Sequence, residues 1–310
     1  MDIRYWRCIL KKSYVCPDPD IKYFLYTTEN PNAKLIDIRN PNALRYAGWD
    51  PGKRNVIVIH GFNETERKTP ISFISKVDWE PLTKFPCYLS ALSNTKLVAQ
   101  CSAKLYSYLT EHGAPAKKIT CVGHSLGAHI CGMMSHHLTY KMHKIIGLDP
   151  ARPLIDQYAS HVFRLTRDDA HSVQVIHTNA GFLGVEAPAG HIDFCVNNGQ
   201  FQPGCQGHRL RQARCSHFQS ACYFAATVAR QVTMGVPCNA ACPRRGRSLV
   251  QLEPTVLLSG MVVIVHLTDE VDNVFSFIYS KDSVLFAEDQ CESKRKHRAR
   301  SVVNLSQQSI

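Results

Sequence analysis

The stretch Gly123-His124-Ser125-Leu126-Gly127 places a serine between two glycines, directly after a short β-branched run. Glycines have no Cβ, so a strand and a helix can pack closely around a tight turn that exposes the serine hydroxyl. The Leu126 N–H then lies at the start of the helix, where it can face a developing oxyanion. The pattern predicts a serine nucleophile on a strand–turn–helix unit.

A serine nucleophile needs a histidine base and a carboxylate that orients the histidine. In hydrolases with this turn the chain order is serine, acid, histidine, and each lies at the end of a strand. Asp149 follows the apolar run 144–148 and precedes Pro150. We therefore expect Asp149 to be the orienting acid, the alternative being an ordinary turn aspartate before proline.

The chain has 15 histidines, so the base is not fixed by composition. His124 and His129 lie inside the serine motif and are too close to reach back to it. His177 ends an apolar run, His191 precedes another, and His217 follows a stretch bracketed by cysteines. From the residues alone, these last three remain candidates.

Apolar runs alternate with helix-like segments along the first two thirds of the chain, which is typical of a mostly parallel sheet with helices on both faces. The predicted strands are 21–27, 34–38, 55–59, 119–122, 144–148 and 172–177, and the predicted helices are 101–109, 128–138 and 217–232. Two further strands are expected at 255–267 and 273–280.

Thirteen cysteines are many for a reduced cytosolic enzyme and predict a disulfide-bearing, secreted-type domain. Cys121 and Cys131, which flank the serine turn on buried elements, are expected to be free core thiols. The first twelve residues lack the apolar segment of a signal peptide, so we expect a truncated or mis-started form of a secreted chain. The net charge of +11 suits anionic surfaces, but no nucleic-acid motif or transmembrane run accompanies it.

Several motifs together resemble the pancreatic lipase family over about residues 16–238. In chain order they are His60-Gly61-Phe62, Gly123-His124-Ser125-Leu126-Gly127-Ala128-His129, Gly147-Leu148-Asp149-Pro150, Val175-Ile176-His177-Thr178, Gly190-His191-Ile192-Asp193-Phe194 and Cys215-Ser216-His217. The resemblance implies an α/β-hydrolase fold with Ser125 as nucleophile, Asp149 as acid and His217 as base. It also implies an oxyanion hole formed by the N–H groups of Phe62 and Leu126. His177 and His191 then have structural roles.

In this family a lid lies between two cysteines just before the catalytic histidine, which implies a Cys205–Cys215 disulfide here. The stretch 206–214 between them is short, and very short lids look like the phospholipase A1 branch, including insect enzymes. The lid is also basic, and we expect four of its residues to contact lipid: Arg209, Leu210, Arg211 and Arg214.

Three departures from the family pattern stand out. The connection 63–76 is shortened, so a helix that the family normally has there is expected to be missing. Thr166 stands where the calcium site of some members has an acidic residue, so we expect no metal and no cofactor. Residues after about 243 do not resemble the family.

The expected organisation has four parts. They are an N-terminal segment 1–15 without a signal peptide, a lipase-like α/β-hydrolase domain 16–243, a C-terminal segment 244–290 of uncertain structure, and a disordered basic and polar tail 291–310.

The predicted function is a secreted, monomeric serine hydrolase that acts on glycerolipids at a membrane or micelle surface. The expected reaction is phospholipase A1 hydrolysis of the sn-1 acyl ester. The alternatives are a triacylglycerol or galactolipid lipase, and a catalytically weak, lipid-binding member similar to the yolk proteins of the family.

Overall fold

The computed structural model describes residues 8–27, 32–64, 75–158, 160–228 and 242. The predicted strands at 255–267 and 273–280, and the predicted segments 244–290 and 291–310, lie outside the described residues.

Eight strands form one sheet in the order β2-β1-β4-β3-β5-β6-β7-β8. From β4 to β8 every neighbouring pair is parallel, whereas β1 runs antiparallel to both β2 and β4. The strands are β1 (Lys22–Leu25), β2 (Lys34–Ile36), β3 (Asn55–Ile59), β4 (Ser75–Asp78), β5 (Ile119–His124), β6 (Met142–Leu148), β7 (Ala170–His177) and β8 (Ile192–Cys195).

The described helices connect these strands and pack on the sheet. They are α1 (Ala43–Tyr46), α2 (Tyr88–Glu111), α3 (Leu126–Ser135), α4 (Ile155–Tyr158) and α5 (Arg209–Val228). Helix α3 packs between α2 and the central strands, and α5 contacts β6 and β7. The mostly parallel sheet with crossover helices is the α/β-hydrolase fold, as the sequence predicts.

The central strands form the core because they are apolar on both faces. Every residue of β3 is buried, and β5 and β6 are buried apart from one partly covered residue each, as expected for parallel strands covered on both sides. Strand β8 was not predicted from the sequence, because it lacks a continuous apolar run. All four of its residues are only half-buried.

Five disulfides join described residues: Cys8–Cys87, Cys16–Cys101, Cys121–Cys131, Cys195–Cys242 and Cys205–Cys215. Cys222 is disulfide-bonded as well. The Cys8–Cys87 bridge ties the start of the described chain to the residue before α2.

The expectation that Cys121 and Cys131 are free thiols is wrong. Strand β5 leads into the serine turn and α3 runs back along it. Because a helix advances less per residue than a strand, the six residues from Leu126 to Cys131 lie beside the four from Cys121 to His124. The two cysteines therefore meet at a similar height, with their Cα atoms 5.9 Å apart, which is within disulfide reach.

Among the residues that the structure describes, no helix combines the length and the apolar character needed to cross a membrane.

Candidate active site

Ser125 occupies the turn between β5 and α3 in a strained backbone conformation, with φ 57° and ψ −118°. The glycines on either side allow this turn. A Cβ on Gly123 would lie 2.2 Å from the Gly127 carbonyl oxygen, and one on Gly127 would lie 2.0 Å from the carbonyl oxygen of Ile59. Since real Cβ atoms never approach backbone so closely, both positions require glycine if the serine is to stand at the sheet edge.

Asp149 follows the last residue of β6, at the same carboxyl edge of the sheet, and its side chain is fully buried. One carboxylate oxygen, Oδ1, accepts the N–H groups of Thr178 at 2.8 Å and Asn179 at 3.0 Å. The other, Oδ2, lies 2.5 Å from Nδ1 of His217. The carboxylate is therefore fixed by backbone donors and oriented towards a single histidine.

His217 lies within α5 rather than on a loop, with 12% of its side chain exposed. Because Nδ1 donates to Asp149, the other ring nitrogen, Nε2, is left to exchange a proton with a hydroxyl. The structure thus brings the three predicted triad residues to one edge of the sheet. Ser125 lies in the β5–α3 turn, Asp149 follows β6 and His217 lies on α5.

Gly184, which no sequence motif identifies, packs directly against the acid. A Cβ at this position would meet all three carboxyl atoms of Asp149 at 2.4 to 2.6 Å. The Gly184 N–H donates to the Asn179 carbonyl at 3.0 Å, so the glycine is held in place by its own backbone. Its missing side chain makes room for the Asp149 carboxylate.

The loop after β3 carries the candidate oxyanion donor and contacts the nucleophile. A Cβ on Gly61 would lie 2.6 Å from the Cβ of Ser125. The loop is anchored by Trp79, whose indole N–H donates to the His60 carbonyl at 2.9 Å and whose backbone N–H donates to His60 Nε2 at 3.0 Å. This anchor persists although the connection from β3 to β4 is short.

Some backbone N–H groups of this loop are hydrogen-bonded within the protein and one is not. The Gly61 N–H donates to Glu64 Oε2 at 2.8 Å, and the Asn63 N–H donates to the Thr83 carbonyl at 2.8 Å. Between them, the Phe62 N–H makes no hydrogen bond to any described residue. The Leu126 N–H belongs to the first residue of α3 and has no partner within that helix. These two groups are available to an oxyanion.

The other two candidate histidines, and His129 of the serine motif, have separate structural partners. His177 Nε2 lies 2.8 Å from Asp193 Oδ1, and His191 Nδ1 accepts the Val173 N–H at 3.0 Å. His129 donates through Nε2 to the Ala151 carbonyl at 2.8 Å. None of the three contacts the Asp149 carboxylate.

The predicted lid residues form the first turns of α5, between the bridged Cys205 and Cys215. The four predicted lipid-contact side chains are all exposed: Arg209, Leu210, Arg211 and Arg214. Only the Arg209 guanidinium contacts an aromatic ring, lying 5.3 Å from the centre of Phe182. The predicted lid stretch 206–214 is therefore helical from Arg209 onwards.

The residues at the family's calcium position are engaged in helix capping. The Thr166 hydroxyl accepts the Asp168 N–H at 3.3 Å, and Asp169 Oδ2 accepts the Thr166 N–H at 2.7 Å. Asp169 Oδ1 contacts His136 at 3.1 Å. Across the described part of the chain, no three His, Cys, Asp or Glu side chains gather to hold a metal. These residues do not fit a calcium site.

Comparison with known proteins gives consistent matches. The sequence model of the family described as "Lipase" matches residues 9–242. Lipase member H-A of Xenopus laevis is 31% identical over 71% of this chain and 51% of its own length. Pancreatic lipase-related protein 2 of Mus musculus is 31% identical over 72% and 53%. Phospholipase A1 1 of Dolichovespula maculata is 33% identical over 74% and 80%.

The chain thus spans about half the length of the vertebrate relatives and most of the wasp protein. Among solved structures, a putative carboxylesterase from Lactobacillus plantarum aligns with 42% of this chain and 67% of its own, at 11% identity and a TM-score of 0.29. That superposition is too weak to support an argument. The family match covers most of the chain and agrees with the motif resemblance and the fold, and the chain belongs to the lipase family.

Proposed function

We propose that the protein hydrolyses carboxyl esters of glycerolipids, and that its specific reaction is phospholipase A1 cleavage of the sn-1 acyl chain. The observation that carries the proposal is the 2.5 Å contact between Asp149 and His217 beside the strained Ser125 turn. A buried carboxylate that holds one imidazole nitrogen leaves the other free to act as a base.

In the proposed mechanism Ser125 Oγ attacks the ester carbonyl while His217 Nε2 accepts its proton. Asp149 stabilises the resulting imidazolium, and the Phe62 and Leu126 N–H groups bind the oxyanion. His217 then returns the proton to the departing alcohol oxygen. Water repeats the sequence on the acyl-serine, releasing the fatty acid and restoring the free enzyme.

Two observations favour a phospholipid substrate. The lid is short and presents the three exposed arginines Arg209, Arg211 and Arg214, which suit a phosphate-bearing headgroup. The wasp phospholipase A1 is 33% identical over 74% of this chain, against 31% for each of the two vertebrate relatives above. We also propose an extracellular, monomeric enzyme that acts at a lipid surface, in keeping with the five described disulfides.

The test combines covalent labelling with a substrate panel. A fluorophosphonate probe should label the purified protein, and Ser125→Ala should abolish the labelling without unfolding the chain. Hydrolysis of phosphatidylcholine with release of the sn-1 acyl chain should exceed hydrolysis of galactolipid and triacylglycerol. A higher rate on either of the latter would replace the phospholipase assignment, and a folded protein that takes no label would favour the lipid-binding alternative.

A further inference from the structure

Glu64 joins the oxyanion loop to the nucleophile turn through one carboxylate. Its Oε2 accepts the Gly61 N–H at 2.8 Å, and its Oε1 lies 2.7 Å from Nδ1 of His124, the residue directly before Ser125. The Glu64 side chain is only 16% exposed and that of His124 only 3%. Neither residue has a part in the mechanism above, although both contact its components.

The neighbours of His124 favour its doubly protonated, charged form. One ring nitrogen faces the Glu64 carboxylate, and the other, Nε2, faces the backbone carbonyl of His217 at 3.1 Å. Both partners are acceptors only, so an imidazolium, which carries a proton on each ring nitrogen, suits both neighbours. The contact with Glu64 lies off the line of the ring N–H, so it is an ion pair more than a linear hydrogen bond.

The charges of the two groups support each other. Burial alone would lower the pKa of His124, but the adjacent Glu64 carboxylate outweighs it and the pKa lies above its usual value. Burial would likewise raise the pKa of Glu64, but the charge of His124 and the Gly61 N–H lower that pKa to about 2. His60 and Asp149 are the other ionisable groups that act on the pair.

The pair also reaches the candidate base. The ring of His124 lies 4.7 Å from the ring of His217, centre to centre, and 6.0 Å from that of Phe218. One ion pair therefore contacts the loop that carries the Phe62 N–H, the turn that carries Ser125 and the helix that carries His217. A shift of the pair would move these three components relative to one another.

The Glu64–His124 pair carries no net charge, which matters next to groups whose charge changes during the reaction. An isolated carboxylate beside the oxyanion loop would oppose the negative charge that develops during reaction, and an isolated imidazolium would oppose protonation of His217. Opposite charges 2.7 Å apart largely cancel at both positions. The site therefore gains a rigid connection without a net charge.

We propose that Glu64 and His124 are positioning residues. Their buried ion pair holds the oxyanion loop and His217 at the correct distance and orientation relative to Ser125. This inference rests on the function proposed above. It assigns roles to two residues outside the triad and the oxyanion hole.

Glu64→Gln tests the proposal most directly, because glutamine keeps the size and can still accept the Gly61 N–H but removes the charge. We expect kcat on a soluble short-chain ester to fall on the order of 100-fold with KM changed less than about twofold. The rate of fluorophosphonate labelling should fall in parallel. Glu64→Asp, which restores the charge, should recover part of the lost kcat.

Asp193→Asn is the matched control, because it breaks a second buried histidine–carboxylate pair, with His177, at the same edge of the sheet. It should lower the melting temperature and leave kcat within about twofold of wild type. His124→Gln, which keeps a donor for the His217 carbonyl, provides a second variant if Glu64→Gln does not fold.

The outcomes separate the inference from the proposed function. An active wild type with an equally active Glu64→Gln overturns the inference alone. So does a loss of kcat in Asp193→Asn as large as that in Glu64→Gln, because the effect would then follow stability. A folded wild type that neither hydrolyses esters nor takes the label overturns both.

Discussion

Two residues of the candidate triad have backbone conformations that amino acids with side chains seldom adopt. Ser125 has φ 57° and Asp149 has φ 43°. Conformations of this kind cost about 1–3 kcal/mol and persist only where neighbouring structure enforces them. Here the Ser125 N–H donates to the Leu148 carbonyl at 3.0 Å, and the Asp149 N–H donates to the Ile176 carbonyl at 2.7 Å. The sheet edge thus fixes the candidate nucleophile and the candidate acid before any substrate binds.

Gly184→Ala should inactivate the protein without a residue of the triad being changed. The new Cβ would lie 2.4 to 2.6 Å from the Asp149 carboxyl atoms, so the carboxylate must move away from His217. We expect kcat/KM on a soluble ester to fall on the order of 100-fold, since a displacement of about 1 Å in a catalytic group can have that effect. Steady-state kinetics on the purified variant measure this.

Gly204→Ala is the control for that substitution, because a Cβ at Gly204 meets no atom within 4 Å. The same chemical change should leave kcat/KM within about twofold of wild type. Similar activity in both variants would contradict the role given to Gly184.

At the scale of single residues, the sequence predicted those whose chemical type the reaction requires. Ser125 and Asp149 could be proposed because a hydrolase needs those groups in a set chain order, whereas only the family resemblance separated His217 from His177 and His191. Glu64 and Gly184 could not be proposed, because their roles come from contacts between distant segments. A glutamate near the oxyanion loop and a glycine in a loop carry no distinctive spacing.

At the scale of elements, α5 carries both the candidate base and the predicted lid residues. Leu210 and His217 are seven residues apart, so they share a helix face. Leu210 is 55% exposed, which leaves an apolar side chain on the face of the base. The Cys205–Cys215 bridge secures the start of the helix.

Replacing Arg209, Arg211 and Arg214 by glutamate should lower hydrolysis of anionic phospholipid vesicles more than hydrolysis of a soluble short-chain ester. Each exposed cation near an anionic surface contributes about 1 kcal/mol to attraction. The vesicle rate should therefore fall at least tenfold and the ester rate less than about threefold. Both rates are measured on the same preparation at low ionic strength.

The control reverses three exposed cations elsewhere: Lys104 on α2, Lys117 before β5 and Arg167 before β7. Lys117 and Arg167 lie where their strands begin, at the edge opposite Ser125. The change in net charge is equal, so an equal loss on vesicles would show that total charge matters and not the lid.

The elements themselves were predicted to different degrees. The buried strands β3, β6 and β7 are mostly apolar, and the sequence located them within one or two residues. The start of α5 was missed because its basic residues and flanking cysteines resemble a loop. This part of the helix makes tertiary contacts that local sequence does not reveal, namely the disulfide at Cys215 and the contact between Arg209 and Phe182.

At the scale of the whole molecule, buried histidines couple stability to pH in opposite directions. His129 donates to the Ala151 carbonyl and accepts the Leu165 N–H at 3.0 Å, so its ring is neutral in the folded protein. Burial lowers the pKa of His129 to about 4. Burial and the nearby His136 also lower the pKa of His137, whereas the pKa of His124 is raised.

The sign of each effect follows from linkage. Where folding lowers the pKa of a histidine, the unfolded chain takes up a proton at a higher pH than the folded protein does. The contribution of such a histidine to stability is complete above its pKa in the unfolded chain, about 6.5. It is lost as the pH falls towards the pKa in the folded protein. For His129 the loss reaches roughly 3 kcal/mol by about pH 4. The contribution of His124 has the opposite sign and is already complete below about pH 6.5, so it stays constant over this range.

The free energy of unfolding in urea, with disulfides intact, should therefore decrease from pH 6.5 to pH 5. His129→Gln removes one titrating group but keeps a donor for the Ala151 carbonyl, so its slope should be smaller by up to about 1.4 kcal/mol per pH unit. The remaining groups, including His137, titrate in both proteins and cancel in the difference. Parallel slopes in the two proteins would contradict this prediction, because His129 would then take up its proton in the folded protein as readily as in the unfolded chain. The two hydrogen bonds oppose that uptake, since a protonated Nδ1 cannot accept the Leu165 N–H.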